Sequence, residues 1–148
     1  MMTSETVAAA DFDSDLDEVE GGAERLPKLE AGDYLLDLNK VIRVDGDSGV
    51  YDVFEWTIKE AKGEAANPTG SKAKISFKRD SKGKDKEIAD KKIFNCLRAL
   101  NKGETPESRS AFLGSLRSEA SGTVRAKVTF PNAVRSGKPY QKIDYFSV

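Results

Sequence analysis

Lysine and arginine gather in a few short stretches of this sequence. Lys72, Lys74 and Lys78 alternate with Ala73, Ile75 and Phe77, and Arg79 follows at once. Arg125 and Lys127 alternate with Val124, Ala126 and Val128, while Lys138 and Lys142 flank a late turn. Alternation of this kind places each basic set on one face of a strand. Cations arrayed along a face can track a phosphate backbone and release its counterions. Four rings, Tyr51, Trp56, Tyr140 and Tyr145, lie in the same regions. Bases stack on exposed ring faces, typically for about 1–3 kcal/mol each and with no need to read sequence. The chemistry these residues suit is non-covalent binding of a single strand. The candidate contacts are Tyr51, Trp56, Lys72, Lys74, Lys78, Arg79, Arg125, Lys127, Lys138, Tyr140 and Lys142.

Each candidate has a plainer role available. Trp56 keeps step with Phe54 and Ile58, which favours the core over a binding surface. Tyr51 falls on the opposite side, with Val53, Glu55 and Thr57. On the last strand, Tyr140, Lys142, Asp144 and Phe146 oppose Gln141, Ile143, Tyr145 and Ser147, so Tyr145 is expected to be buried with Ile143. Lysines on an edge strand also discourage aggregation.

Other chemistry is poorly served. The chain has no histidine, which removes the usual general base, zinc ligand and triad member. Residues 45–49 (DGDSG) resemble the start of a calcium loop, but the sixth position is Val50 and the twelfth Trp56, where such a loop needs Gly and Glu. No Gly-rich phosphate motif occurs. A carboxylate-dependent metal nuclease would have to draw on Asp45, Asp47, Asp52 or Asp144, which form no recognised spacing. Cys96, the only cysteine, sits among apolar residues at helical spacing and reads as a small core residue. The sequence therefore argues against an enzyme and calls for no metal or cofactor.

Charge divides the chain. Residues 1–24 hold eight acids and no Lys or Arg, so from residue 25 onward 24 basic residues face 17 acidic ones, a net of +7. Residues 1–27 read as a disordered acidic tail, too poor in apolar surface to offset the entropy of ordering. Within it Asp11, Phe12, Asp13, Asp15, Leu16 and Asp17 make an acidic-hydrophobic pattern suited to docking on a partner. Residues 28–148 are the globular domain. The start of the chain has no basic n-region and reads as no secretory signal. No apolar run approaches the roughly 18 residues of a membrane helix. With a single cysteine, a cytoplasmic setting is expected.

The elements that must position the candidates follow from periodicity. Residues 33–44 alternate, with Tyr34, Leu36, Leu38, Ile42 and Val44 on one side. A turn at 45–49 leads to a second strand over 50–60, and a Gly/Asn/Pro-rich loop at 63–71 to a third over 72–79. From 86 to 101 the period becomes helical, through Ile88, Ala89, Ile93, Cys96, Leu97 and Leu100, with Gly103 at the stop. Thr105-Pro106-Glu107 reads as the start of a shorter helix burying Phe112, Leu113 and Leu116. Strands over 123–130 and 140–147 complete the chain. Three strands, a helix with a short second helix, then two strands is the order of the five-stranded OB-fold barrel. The expected class is thus mainly β. A plain antiparallel sheet with helices on one face is the competing architecture.

Residues 29–148 resemble small phage-encoded single-stranded-DNA-binding OB-fold proteins, many known only as a domain of unknown function near phage recombination and replication genes. The similar features are "LEAGDYLLDL", "GVYDVFEWTI", "KKIFNCLRAL" with "NKGETP", "FLGSL" and the closing "GKPYQKIDYFSV". The resemblance implies an OB barrel, sequence-tolerant binding of single-stranded DNA in replication or recombination, a host-cell cytoplasmic location and no catalysis. It implies contacts from Tyr51, Trp56, Lys72, Lys74, Lys78, Arg125, Lys127, Tyr140 and Lys142. The chain departs from such proteins in carrying its acids at the front and ending in "YFSV". The expected partners are single-stranded DNA and, through the tail, replication or recombination proteins; a homo-oligomer is compatible with this reading. The alternative is a non-enzymatic protein-interaction module, such as a phage accessory, inhibitor or virion component, whose acidic tail docks on its target.

Overall fold

The structure is a computed structural model that describes residues 23, 25–131 and 141–148. Its elements run β1 (Gly32–Gly46), β2 (Gly49–Lys62), β3 (Lys72–Lys78), α1 (Gly83–Leu100), α2 (Arg109–Ser118), β4 (Thr123–Thr129) and β5 (Lys142–Ser147). The strands form one antiparallel sheet in the order β3-β2-β1-β4-β5. The fold is thus mainly β, with both helices between the third and fourth strands as the sequence predicts.

The inner face of the sheet follows the alternation. Phe54, Trp56 and Ile58 of β2 point inward, with Ala73, Ile75 and Phe77 of β3 and Val124, Ala126 and Val128 of β4. The Phe54 ring stacks on Trp56 at 6.0 Å and meets Phe77 edge-on at 5.0 Å, both favourable ring geometries. The helices seal this face through Ile93, Cys96, Leu97, Leu113 and Leu116. Ile88, at the expected helical spacing, is instead 55% exposed, because it lies in the second turn of α1, ahead of the buried stripe.

β1 departs from simple alternation. Its pairing with β2 slips twice, leaving one extra residue at Lys59 and another at Asn39. Such bulges bend a strand and shift its phase by one residue. Tyr34, Leu36 and Leu38 point inward as expected, but after Asn39 the inward positions are Val41 and Arg43. Ile42 and Val44 are therefore turned to the outer face, which corrects the reading of one continuous side.

The expected closed barrel is also corrected: among the described residues no backbone ladder joins β3 to β5. The two edge strands meet through side chains, the Phe77 ring lying 6.4 Å from Tyr145. Residues 27–29 fill part of the gap: Lys28 bridges to Lys74, whose N–H donates to the Pro27 carbonyl at 2.9 Å, and the Gln141 side chain donates to the Leu29 carbonyl at 2.9 Å. Leu29 is fully buried.

The helix ends are set locally. α1 stops in a Schellman-type turn: the Gly103 N–H donates to the Arg98 carbonyl at 2.8 Å, and Lys102, at φ 59°, takes the left-handed position that glycine usually fills. α2 begins later than Thr105-Pro106-Glu107, because the Ser108 hydroxyl accepts from the Ala111 N–H at 3.2 Å and supplies the cap.

Candidate nucleic-acid interface

The outer face of β2 and β3 brings several predicted residues together. Tyr51 is the cross-strand partner of Lys78, Glu55 of Lys74 and Thr57 of Lys72. Phase and pairing place Tyr51, Lys72, Lys74 and Lys78 on one surface, continued on β1 by Val44, Ile42 and Lys40. Tyr51 is half-buried, and its hydroxyl donates to the Ser48 carbonyl at 3.4 Å, which leans the ring toward the β1–β2 turn. Val53, between them, is buried apart from the main core cluster. The surface is not purely basic: Lys72 meets Glu55 at 3.9 Å, and Lys59 meets Asp37 at 3.5 Å.

Arg125 and Lys127 lie on the outer face of β4, opposite Leu35 and Asp33 of β1 and opposite Phe146 and Asp144 of β5. They share the sheet surface with the β3 lysines, but β2 and β1 intervene. Three strand spacings separate the two sets, about 14 Å along the sheet. Lys142 is exposed at the start of β5, across from Thr129. The sheet therefore carries two basic patches on one face, not a single channel.

Two candidates sit elsewhere. Trp56 is fully buried, so its ring offers no face to a base; its phase with Phe54 and Ile58 decides the matter. Arg79 does not continue the lysine face but turns inward to Asp52, its Nη1 donating at 2.9 Å. Lys138, Tyr140 and the tail residues Asp11, Phe12, Asp13, Asp15, Leu16 and Asp17 fall outside the described residues. Tyr145 packs with Ile143 against the core, as expected. Burial, reinforced by the neighbouring Cys96, pushes its phenol well above the ordinary value, and burial alone pushes the Cys96 thiol up.

Sequence reasoning weighed Asp52 only as one of four acids for a metal nuclease and missed its place at an arginine cluster. It is fully buried and takes hydrogen bonds from three guanidinium groups, those of Arg43, Arg79 and Arg117. The signal was available: Asp52 is in phase with Phe54 and Trp56, and a carboxylate on an inward face needs cations. With Asp52 held in this way, the four acids considered for a metal nuclease do not converge. Among the described residues no three His, Cys, Asp or Glu side chains gather into a possible metal site, and no helix is long and apolar enough to cross a membrane.

No protein-family model matches the chain, and a search of curated proteins finds no significant relative.

Proposed function

We propose that the chain binds single-stranded nucleic acid, DNA foremost, on the outer face of β1, β2 and β3. The observation that carries this reading is the cross-strand pairing of the half-exposed Tyr51 with Lys78, in line with Lys74 and Lys72 on the edge strand. A ring beside a row of cations is what sequence-tolerant binding requires: stacking for the bases and charge for the phosphates. Arg125 and Lys127 supply a second patch that a longer strand reaches across β1. Strand order supports an OB-like architecture whose last seam, between β3 and β5, is held by side chains and by residues 27–29. In OB-folds the face of strands two and three is a usual ligand surface. The resemblance of residues 29–148 to phage single-strand binders extends the proposal to DNA replication or recombination in an infected cell, without catalysis.

The test is a gel shift with single- and double-stranded oligonucleotides across a salt series. Preferential retardation of the single strand, weakening steeply with salt, supports the reading. No retardation at about 50 mM salt, where a binder making several phosphate contacts holds tightly, rejects it. A second reading is favoured by the exposed Ile88 and Phe146, 55% and 53% accessible: a protein-interaction module whose acidic tail docks on a partner. Flat gel shifts together with saturable binding to a purified replication protein would select it.

A further inference from the structure

The pocket between the helices and the inner side of the sheet has no role in the reading above. We propose that it is a binding site for a phosphate monoester on a compact, partly apolar ligand of nucleotide size.

Its wall is built on Asp52. Oδ1 accepts from Arg117 Nε at 3.1 Å and Nη2 at 2.9 Å; Oδ2 accepts from Arg79 Nη1 at 2.9 Å, Arg117 Nη2 at 3.0 Å and Arg43 Nη2 at 3.4 Å. One carboxylate thus gathers three guanidinium groups and neutralises one of them. The groups border an open pocket of about 610 Å³, in the size range of small-molecule sites. Arg109 and Lys91 add two cations to its lining, against Glu87 and Asp90, and Asp90 is already engaged by Lys86 at 2.7 Å. Five cations of the lining therefore face three carboxylates, Asp52 included, an excess of two that becomes three once Lys86 is set against Asp90.

Fastening α2 to the sheet would need one arginine on Asp52. Three arginines beside an open cavity repel one another without full compensation, and a doubly charged monoester fits within the excess. The donors suit it as well. Guanidinium forks engage phosphate oxygens in pairs, and Arg43, Arg79 and Arg117 all line the pocket. The first residues of α2, Arg109 and Ser110, line the pocket, and N-terminal helix turns favour anions. Ile93, Leu97 and Leu113 make the pocket's apolar part. The Arg109 guanidinium lies 3.7 Å over the Phe94 ring, a flat surface against which a ligand ring can rest. This site is on the inner side of the sheet, opposite Tyr51 and Lys78, so it stands or falls independently of strand binding.

The test is a ¹H–¹⁵N NMR titration of the full chain with inorganic phosphate, AMP and adenosine. AMP is expected to give saturable shifts at Phe94, Ser110 and Leu113, and adenosine to bind at least about tenfold more weakly. AMP binding more tightly than phosphate supports the monoester; phosphate saturating as well as AMP would overturn it in favour of the free ion. Arg109→Ala, which removes a cation not bonded to Asp52, is expected to weaken AMP by about tenfold, while the chain stays folded with a melting temperature lowered only by the loss of the contact with Phe94. The proposal is overturned if no phosphate compound saturates by about 10 mM, far weaker than a built site. It is equally overturned by shifts confined to the outer face, or by wild-type affinity in Arg109→Ala.

Discussion

Arg117 near the end of α2 reaches Asp52 near the start of β2 through two nitrogens, Nε and Nη2, both within 3.1 Å of Oδ1. Sixty-five positions apart in sequence, the two residues fasten the second helix to the sheet. A fork-on-carboxylate contact of this kind fixes angle as well as distance.

Removing Asp52 strands three guanidinium groups in a partly desolvated site. Asp52→Ala is expected to cost about 1–3 kcal/mol, less than for a fully buried pair because Arg43, Arg79 and Arg117 keep part of their solvent contact. Arg117→Ala should cost less, since Arg79 and Arg43 still serve the carboxylate. Urea denaturation of both variants and of the double variant measures this. A double variant as unstable as the sum of the two would show that they do not interact.

On the outer face, Tyr51→Ala is expected to lower affinity for oligo-dT by about 5- to 150-fold, the worth of one stacked base. Lys78→Ala should reduce the slope of log affinity against log salt by about 0.7, one phosphate contact on a single strand. Fluorescence anisotropy over a salt series reads both. Equal slopes for wild type and Lys78→Ala would remove this lysine from the interface.

Cys96 makes stability fall in alkali. Burial raises the folded-state pKa of its thiol, while in the unfolded chain the thiol ionises near its ordinary value of about 8.5. The stabilisation is fully present below that value, and it is lost as pH rises toward the folded-state pKa. Once in that window the loss approaches about 1.4 kcal/mol per pH unit for this group. Denaturation midpoints from pH 7 to 10 should therefore decline, and Cys96→Ala should flatten the decline whatever its offset at pH 7. An unchanged slope in the variant would assign the effect to other groups.

Lys102 occupies a left-handed conformation at the end of α1. Such a conformation costs an L-residue about 1 kcal/mol that glycine avoids. Lys102→Gly is expected to raise the melting temperature by about 2–4 °C, readable by circular dichroism. A lowered melting temperature would mean that the lysine side chain contributes more than the backbone strain costs.

The strands of β2, β3 and β4 were legible because their apolar residues keep strict step, and the inward side of Trp56 followed from Phe54 and Ile58. β1 was legible only as far as Leu38. The bulges at Asn39 and Lys59 have no residue signature; they arise from matching two long strands against each other. That same slip turns Arg43 inward beside Asp52, so the arginine cluster was hidden along with it. Arg79 misled for a different reason: it was grouped with Lys78 because the two are adjacent, yet it is in phase with Ala73, Ile75 and Phe77, and the alternation of β3 already turns it inward. The lysine face was legible, whereas its separation from Arg125 and Lys127 depends on β1 and β2 lying between, which is a matter of long-range topology.

The unladdered seam between β3 and β5 also sets how the domain breathes. Among the described residues β5 is held by ladder hydrogen bonds to β4 on one side only, and beyond it side chains and the Gln141–Leu29 contact do the holding. Thermal openings should therefore begin there, with the β5 amides trading protons for deuterium well before those of β1, which is laddered on both flanks.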